Sequence, residues 1–450
     1  MDKTADKISA YAASFTPSNV TPEALHAVKR SLIDSIGCAL GAFSAEPVKI
    51  GRRLASRVSS TMPASLMGTL IKTSPEMAAF VNGTMIRYLD FSDDYINNDG
   101  PHPSDNISAI LAVCEALHAS GKSLACGITL AYELVCQLVD AVEFRIRGWD
   151  YVTETSIGSA LGAGAVLGLS REQMAQALAL TIVPNITMKQ TRVGHLSMWK
   201  GCAGPNAARN GVFAALLAQE GMTGPNDPIE GARGLWKQVT GPFDVGPFGG
   251  KGHPFKIEDT FFKFRPVMYT VLLPIETALE LRKKVDINTI DSIKVSLDKF
   301  CVVGSNDPER WDPHTRETAD HSIPYLVAAT LVDGEISEKT YTPERYRDPQ
   351  ILALLKKFAL EEDPQFTRDF PKTFHCRIDV TDKSGRKWTQ HMKNPKGHPA
   401  NPMSDAEIDD KFLKLTQEPL GPRQAQAALD MLWHLEDIDD VSKILDATLI

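Results

Sequence analysis

The chain has 450 residues, a formal charge of −8, 43% apolar and 23% charged side chains. That length exceeds what one hydrophobic core normally supports, so two domains are expected, and the acidic balance argues against a nucleic-acid partner, which would want a basic face. The opening MDKTADKISAYAASF has acidic residues and no uninterrupted apolar core, and the longest apolar run, Leu124 to Val142, carries Glu133 and Asp140, so a cytoplasmic protein with no membrane partner is expected.

From about residue 4 to 262 helix follows helix. Thr21-Pro22-Glu23 and Ser74-Pro75-Glu76 each place an N-cap type before proline and an acid, and Ser170-Arg171-Glu172-Gln173 reads as a capping box. Between them lies RYLDFSDDYINNDGPHPSDNISAILAVCEAL, residues 87–117, which packs four aspartates and one histidine into sixteen positions. Ser104, Asp105 and Asn106 are N-cap types, and Ile107, Ile110, Leu111, Cys114 and Leu117 recur at helical spacing, so His102 sits just before a helix N-terminus. Free N–H groups there favour an anion, and a substrate carboxylate could dock beside an imidazole able to move a proton. Asp90, Asp93 and Asp94 are placed to orient His102 or to be merely solvated.

The run Gly158 to Gly168 is rich in small residues. Each glycine costs a helix roughly 1 kcal/mol against alanine, so close helix packing must compensate; a nucleotide-binding loop, the rival, lacks a preceding strand and a GK[ST] ending. Lys189, Arg192, His195 and Lys200 sit on a Gly-flanked connection before the helical Pro205-NAARNG segment, a positive field suited to a di- or tricarboxylate.

After Pro266 the pattern becomes mixed. SIKVSL, 292–297, alternates as a half-buried strand, and His375–Thr381 with Lys387–Met392 around Lys383-Ser384-Gly385 reads as a hairpin. Asp320-His321-Ser322-Ile323-Pro324-Tyr325 opens another helix and offers an imidazole and a phenol, while GHPANPMS, 397–404, reads as a proline-constrained linker. Ser404-Asp405-Ala406-Glu407 is a capping box from which the chain turns helical again. The expected organisation is therefore mainly α: a large all-α domain from 1–262 and 399–450, with a smaller α+β part, 263–398, inserted.

Seven cysteines without a C-x-x-C pair fit packed, reduced thiols and disfavour an iron–sulfur cluster. Eleven histidines show no H-E-x-x-H and no Cys/His quartet, and no G-x-S-x-G serine is present, so neither a metal nor a cofactor is expected.

Taken together, YLDFSDDY with HPSDNISAILAV, RGWDYV with GSALGAGAVLGLS, SMWKGCAGPNAARNG, FFKFRP, ADHSIPY and GHPANPMS resemble the MmgE/PrpD family, in family order and over nearly the whole chain. The resemblance implies a metal-free fold of a large all-α domain plus a smaller α+β lid with the site between them, usually as a homodimer. It implies active-site positions at Asp90, Tyr95, His102, Lys200, Lys263 and Tyr325, and HPSDN is closer to the dehydratase branch than to the decarboxylase branch. Two family imidazoles are missing: Tyr151 stands where relatives often have a histidine, and Pro266-VMYTVLLP leaves Tyr269 as the nearest polar aromatic after the lysine block. A phenol, with a pKa of about 10, is a poorer proton shuttle at neutral pH.

The function expected on these grounds is a cofactor-independent lyase dehydrating a 2-methylcitrate-like 2-hydroxy-tricarboxylate. Asp90 would orient His102, the first proton carrier, and Tyr151 or Tyr325 would be the second. Lys200, Lys263 and Arg192 would hold carboxylates, with Tyr95, Ser104 and His321 lining the substrate. Decarboxylation or epimerisation of a related acid, or silent carboxylate binding, are the alternatives.

Overall fold

The computed structural model describes all 450 residues. Helix makes up 58% of the chain and strand 9%, so the protein is mainly α. It divides into two compact units: Met1–Lys189, Gly201–Phe261 and Ser404–Ile450 form the first, Gln190–Lys200 and Phe262–Met403 the second. Gln190–Lys200 is thus part of the second unit, tied there by Leu196, whose N–H donates to Thr318 Oγ1 at 3.0 Å and whose carbonyl accepts from Thr315 Oγ1 at 3.2 Å.

In the first unit the local signals act much as they read. Thr21 Oγ1 accepts the Ala24 N–H at 3.1 Å to start the helix Pro22–Gly41, and Ser170 with Gln173 and Ser404 with Glu407 close reciprocal capping boxes. Ser74 differs: its hydroxyl turns to Glu76 at 2.5 Å and leaves the start of Pro75–Tyr88 without a side-chain cap. A short antiparallel pair, β1 (Ala64–Ser65) and β2 (Lys72–Thr73), interrupts the helices.

The helix Gly121–Ala141 is long and apolar enough to cross a membrane, but 89% of its apolar window is buried inside the protein. It runs beside Val152–Leu167, and the glycine run lies in the interior of that second helix, which disposes of a phosphate-binding loop. A Cβ on Gly158 would stand 2.6 Å from Val135 Cγ2 and 2.9 Å from the Ala131 carbonyl; one on Gly162 would stand 2.6 Å from Ile110 Cδ1. Both are closer than packed side chains approach, so these positions take no larger residue without the helices parting. The C-terminal helix Asp405–Leu420 packs on Pro22–Gly41, where Lys411 Nζ reaches Asp34 Oδ1 and the Phe91 carbonyl, each at 2.6 Å.

The second unit is built on a sheet of β3 (Ile290–Leu297), β4 (Phe358–Glu362), β5 (His375–Asp382) and β6 (Lys387–Lys393) in the order β4-β3-β5-β6. β3 pairs parallel with β4 and antiparallel with β5, Val295 lying opposite both Leu360 and Ile378. Cys376, Ile378 and Val380 alternate with polar Arg377 and Asp379, and the helix Tyr269–Arg282 packs on β5 and β6. The β5–β6 turn works through Gly385 at φ +84° and Asp382, whose carboxylate accepts the N–H groups of Ser384 and Arg386, both at 2.9 Å.

Candidate active site

The helix Pro75–Tyr88 ends two residues before Asp90, which turns the chain with φ +52°, a left-handed conformation that aspartate tolerates better than most residues. Asp90 Oδ1 accepts from Arg87 Nη1 at 2.9 Å, and both side chains are buried. Burial alone would weaken the guanidinium charge, but Asp90, Tyr151, Asp105 and Asp94 more than offset it and hold Arg87 above its usual range.

His102 is oriented by the residues three and four beyond Asp90. Its Nδ1 lies 2.7 Å from the Asp93 carbonyl and 3.3 Å from Asp94 Oδ1. A carbonyl can only accept, so Nδ1 carries the proton, and in the neutral imidazole Nε2 is the basic nitrogen. Asp93 and Asp94 hold the imidazole, and Asp90 is engaged by Arg87. Asp94 is itself fixed by a two-way backbone bridge with Phe261, at 2.9 and 2.8 Å.

The Asp93 carboxylate has partners of its own. It accepts the Ser104 N–H at 3.0 Å and the Tyr132 hydroxyl at 2.7 Å, and burial pushes its pKa from 3.8 up to about 6 against those hydrogen bonds. The anion at the start of the helical segment that follows His102 is therefore the protein's own, which corrects the expectation that a substrate carboxylate docks on that N–H. The cap types there misdirect as well. Residues Pro103–Asn106 form a 3₁₀ turn, and Asn106 spends its side chain on the Pro103 carbonyl and the Ser159 hydroxyl rather than on the helix Ile107–Ala116.

Tyr151 opens the helix Val152–Leu167 and meets the edge of His102, ring centroids 6.1 Å apart. Tyr95 is held at Asp140, its hydroxyl 3.0 and 3.1 Å from the two carboxylate oxygens, and burial with that anion raises its pKa.

In the second unit Lys200 and Asp320, 120 residues apart and each 1% exposed, form a two-pronged pair: Lys200 Nζ lies 2.8 Å from both carboxylate oxygens. His321 Nδ1 lies 2.5 Å from Asp320 Oδ1. The carboxylate that Lys200 grips here is thus an internal one. Arg192 Nη1 donates to the Lys200 carbonyl at 3.2 Å, and His195 is exposed.

Lys263 is fully buried, and the segment carrying it is pinned by the bond from the Phe262 N–H to the Gly397 carbonyl at 3.1 Å. Gly397 has φ +97°, and a Cβ there would collide with the Phe262 carbonyl at 1.7 Å, so the glycine of GHPANPMS permits this close approach. His398, next to it, accepts the Ala400 N–H on Nδ1 at 3.0 Å, and burial lowers its pKa to about 4.

Tyr325 is buried, and its hydroxyl donates to the Thr340 carbonyl at 2.5 Å. Burial raises its pKa. In this arrangement the phenol proton is held by a backbone carbonyl. Arg87, Tyr132 and Asp320 are the functional neighbours that sequence reasoning missed. Arg87 and Asp320 stand inside quoted motifs, three residues before Asp90 and one before His321; Tyr132 carries no signal beyond an apolar helix. All seven cysteines are buried and none forms a disulfide.

The N-terminal domain of the MmgE/PrpD family matches residues 6–247, and its C-terminal domain matches residues 266–437. Among curated relatives, cis-aconitate decarboxylase of Homo sapiens is 25% identical over 446 residues, covering 94% of this chain and 90% of the relative. The mitochondrial 2-methylcitrate dehydratase of Yarrowia lipolytica is 28% identical over 400 residues, 80% of this chain and 74% of the relative. The 2-methylcitrate dehydratase of Salmonella typhimurium is 27% identical over 361 residues, 75% and 74% respectively.

Proposed function

The chain belongs to the MmgE/PrpD family, and from that premise we propose that it is a lyase of small di- or tricarboxylic acids, dehydrating a 2-methylcitrate-like 2-hydroxy-tricarboxylate by general acid–base catalysis without a bound metal. The observation that carries this reading is the fixed tautomer of His102: the Asp93 carbonyl and Asp94 hold Nδ1, so Nε2 is the nitrogen that exchanges a proton with substrate. Relatives named 2-methylcitrate dehydratase support the choice of reaction. Lys263 and Arg192 are the cations proposed to bind substrate carboxylates, where they would also stabilise charge as a C–H proton beside a carboxylate is removed. A metal at Asp320 would have to displace the Lys200 ammonium, which already neutralises that carboxylate.

Decarboxylation of a related unsaturated acid is the second reading, favoured by the 94% coverage of this chain in the match to human cis-aconitate decarboxylase. A cytoplasmic homodimer is the proposed working form.

The test is a chelator-treated, purified protein offered 2-methylcitrate and cis-aconitate, with absorbance of the unsaturated product and released carbon dioxide recorded in parallel. Dehydration predicts unsaturated product from 2-methylcitrate and a drop of at least about 100-fold in kcat for His102→Ala. Carbon dioxide release from cis-aconitate alone would replace the first reading by the second, and a folded protein silent on both would sink each.

A further inference from the structure

The tautomer of His102 depends on where a short loop puts one peptide oxygen, the Asp93 carbonyl 2.7 Å from Nδ1. Resting on the lyase reading above, which uses that tautomer, we propose that Lys411 is a positioning residue for His102: from the C-terminal helix Asp405–Leu420 of the same unit, it fixes the segment Asp90–Asp94 that holds the imidazole.

Three contacts place it there. Lys411 Nζ donates to the Phe91 carbonyl at 2.6 Å, stands 3.7 Å from the centroid of the Phe91 ring, and lies 2.6 Å from Asp34 Oδ1 on the helix Pro22–Gly41. The lysine side chain is 6% exposed and that of the aspartate 1%, so water competes little for either. An ammonium on a carbonyl makes a charge-assisted bond, roughly twice as strong as one between neutral groups, and the ring face adds cation–π attraction. Phe91 is thereby gripped at main chain and side chain together.

The rest of the segment shows why that grip matters. Arg87 holds Asp90 at one end, and the backbone bridge to Phe261 holds Asp94 at the other. Between them Ser104 and Tyr132 secure the Asp93 carboxylate, and Lys411 secures the Phe91 peptide, two residues before the carbonyl that His102 uses. Hydrogen bonds from N–H to oxygen extend to about 3.2 Å, so a drift of about half an ångström brings the 2.7 Å contact at Nδ1 to its limit.

Ion pairing with Asp34 does not by itself account for the lysine. A buried pair recovers its desolvation cost only with good geometry and further hydrogen bonds, and apolar replacement of both partners is often neutral or stabilising. The bond to Phe91 gives this pair a task that apolar side chains cannot do. Ile408 and Phe412 bury the same helix by packing, and Lys411, buried among them, reaches back 320 residues to the loop. The helical return after Ser404 thus supplies a polar fastening as well as apolar cover.

The test uses full-length protein labelled with 15N-histidine, read at a pH where the ring is neutral. Protonated and bare imidazole nitrogens resonate far apart, and the spectrum of His102→Gln identifies the His102 signals. Wild type shows a single Nδ1–H tautomer. Lys411→Met combined with Asp34→Asn removes both buried charges, so urea unfolding stays close to wild type while the Phe91 carbonyl loses its donor. In that variant the His102 signals move toward a mixture of tautomers, and kcat falls about tenfold or more with KM changed less than about threefold. Asp34→Asn alone leaves the ammonium on Phe91 and keeps the single tautomer.

A wild type already mixed, or a folded double variant with one tautomer, overturns the inference. So does a mixed tautomer in Asp34→Asn, which would make the ion pair and not the carbonyl bond the controlling contact; this arm stands even where the double variant does not fold. A mixed tautomer in the double variant with kcat held within about threefold keeps Lys411 as the group that positions the ring and removes His102 from the reaction. A wild type inactive on every carboxylate offered removes the lyase reading, and the His102 resonances still decide the positioning.

Discussion

Replacing Asp93 by asparagine should flatten the pH dependence of folding stability. The carboxyl has a pKa of 3.8 in the exposed state and about 6 in the fold, because burial outweighs the bonds from Ser104 and Tyr132. A raised folded pKa means that the fold binds the proton more tightly, so the stabilisation is full below pH 3.8 and is lost as pH rises through about 6. Two units at 1.36 kcal/mol each amount to about 3 kcal/mol over the whole range, of which about 1.4 kcal/mol separates pH 5 from pH 8. Urea unfolding of wild type and Asp93→Asn at those two pH values isolates the contribution: the gain in stability at pH 5 over pH 8 should shrink by about 1.4 kcal/mol in the variant. The His102 tautomer should survive, since its acceptor is the Asp93 main-chain carbonyl. Tyr132→Phe removes a hydrogen bond that favours the carboxylate, so it should push the titration to higher pH and enlarge the same difference. An Asp93→Asn protein with the wild-type pH slope would refute the placement of this titration at Asp93.

Two further outcomes follow from packing. Tyr325→Phe should keep kcat within about twofold while losing about 1 kcal/mol of stability, because only the bond to the Thr340 carbonyl disappears; a 100-fold fall in kcat at unchanged fold would restore the phenol as a proton carrier. Gly204→Ala would place a Cβ 2.0 Å from Asp105 Oδ2 at the start of the helix Ala203–Gln219, and thermal unfolding should show a loss of about 1–3 kcal/mol or more; an unchanged melting temperature would mean that the buried Asp105 carboxylate yields freely.

What the sequence makes legible is what neighbouring residues decide. Thr21, the Ser170–Gln173 and Ser404–Glu407 boxes, and the β5–β6 turn at Gly385 all act within a few residues, and each is in place. His102 is legible as a proton carrier at a helix entrance, but its partners are not: Asp90, Asp93 and Asp94 are chemically alike, and Arg87 decides which of them is occupied elsewhere. The Ser104 and Tyr132 contacts to Asp93 depend on the fold of a loop and on a helix 39 residues away. The chemical types of Lys200 and His321 are evident, but the carboxylate that both meet, Asp320, lies 120 residues from Lys200. Tyr325 is legible as a phenol at a helix start, but its acceptor, the Thr340 carbonyl, lies 15 residues on.

The path of the backbone has a consequence for how this protein is made and dissected. The chain passes between the two units four times, at 189/190, 200/201, 261/262 and 403/404. Lys200 leaves the ribosome before Asp320 exists, so its ammonium spends that interval without the carboxylate that later encloses it. A gene fragment encoding 262–403 by itself yields Asp320 and His321 with no ammonium to neutralise the acid. To express the sheet-bearing unit alone, an engineer must splice Gln190–Lys200 back through a linker, since no single cut at either end recovers it.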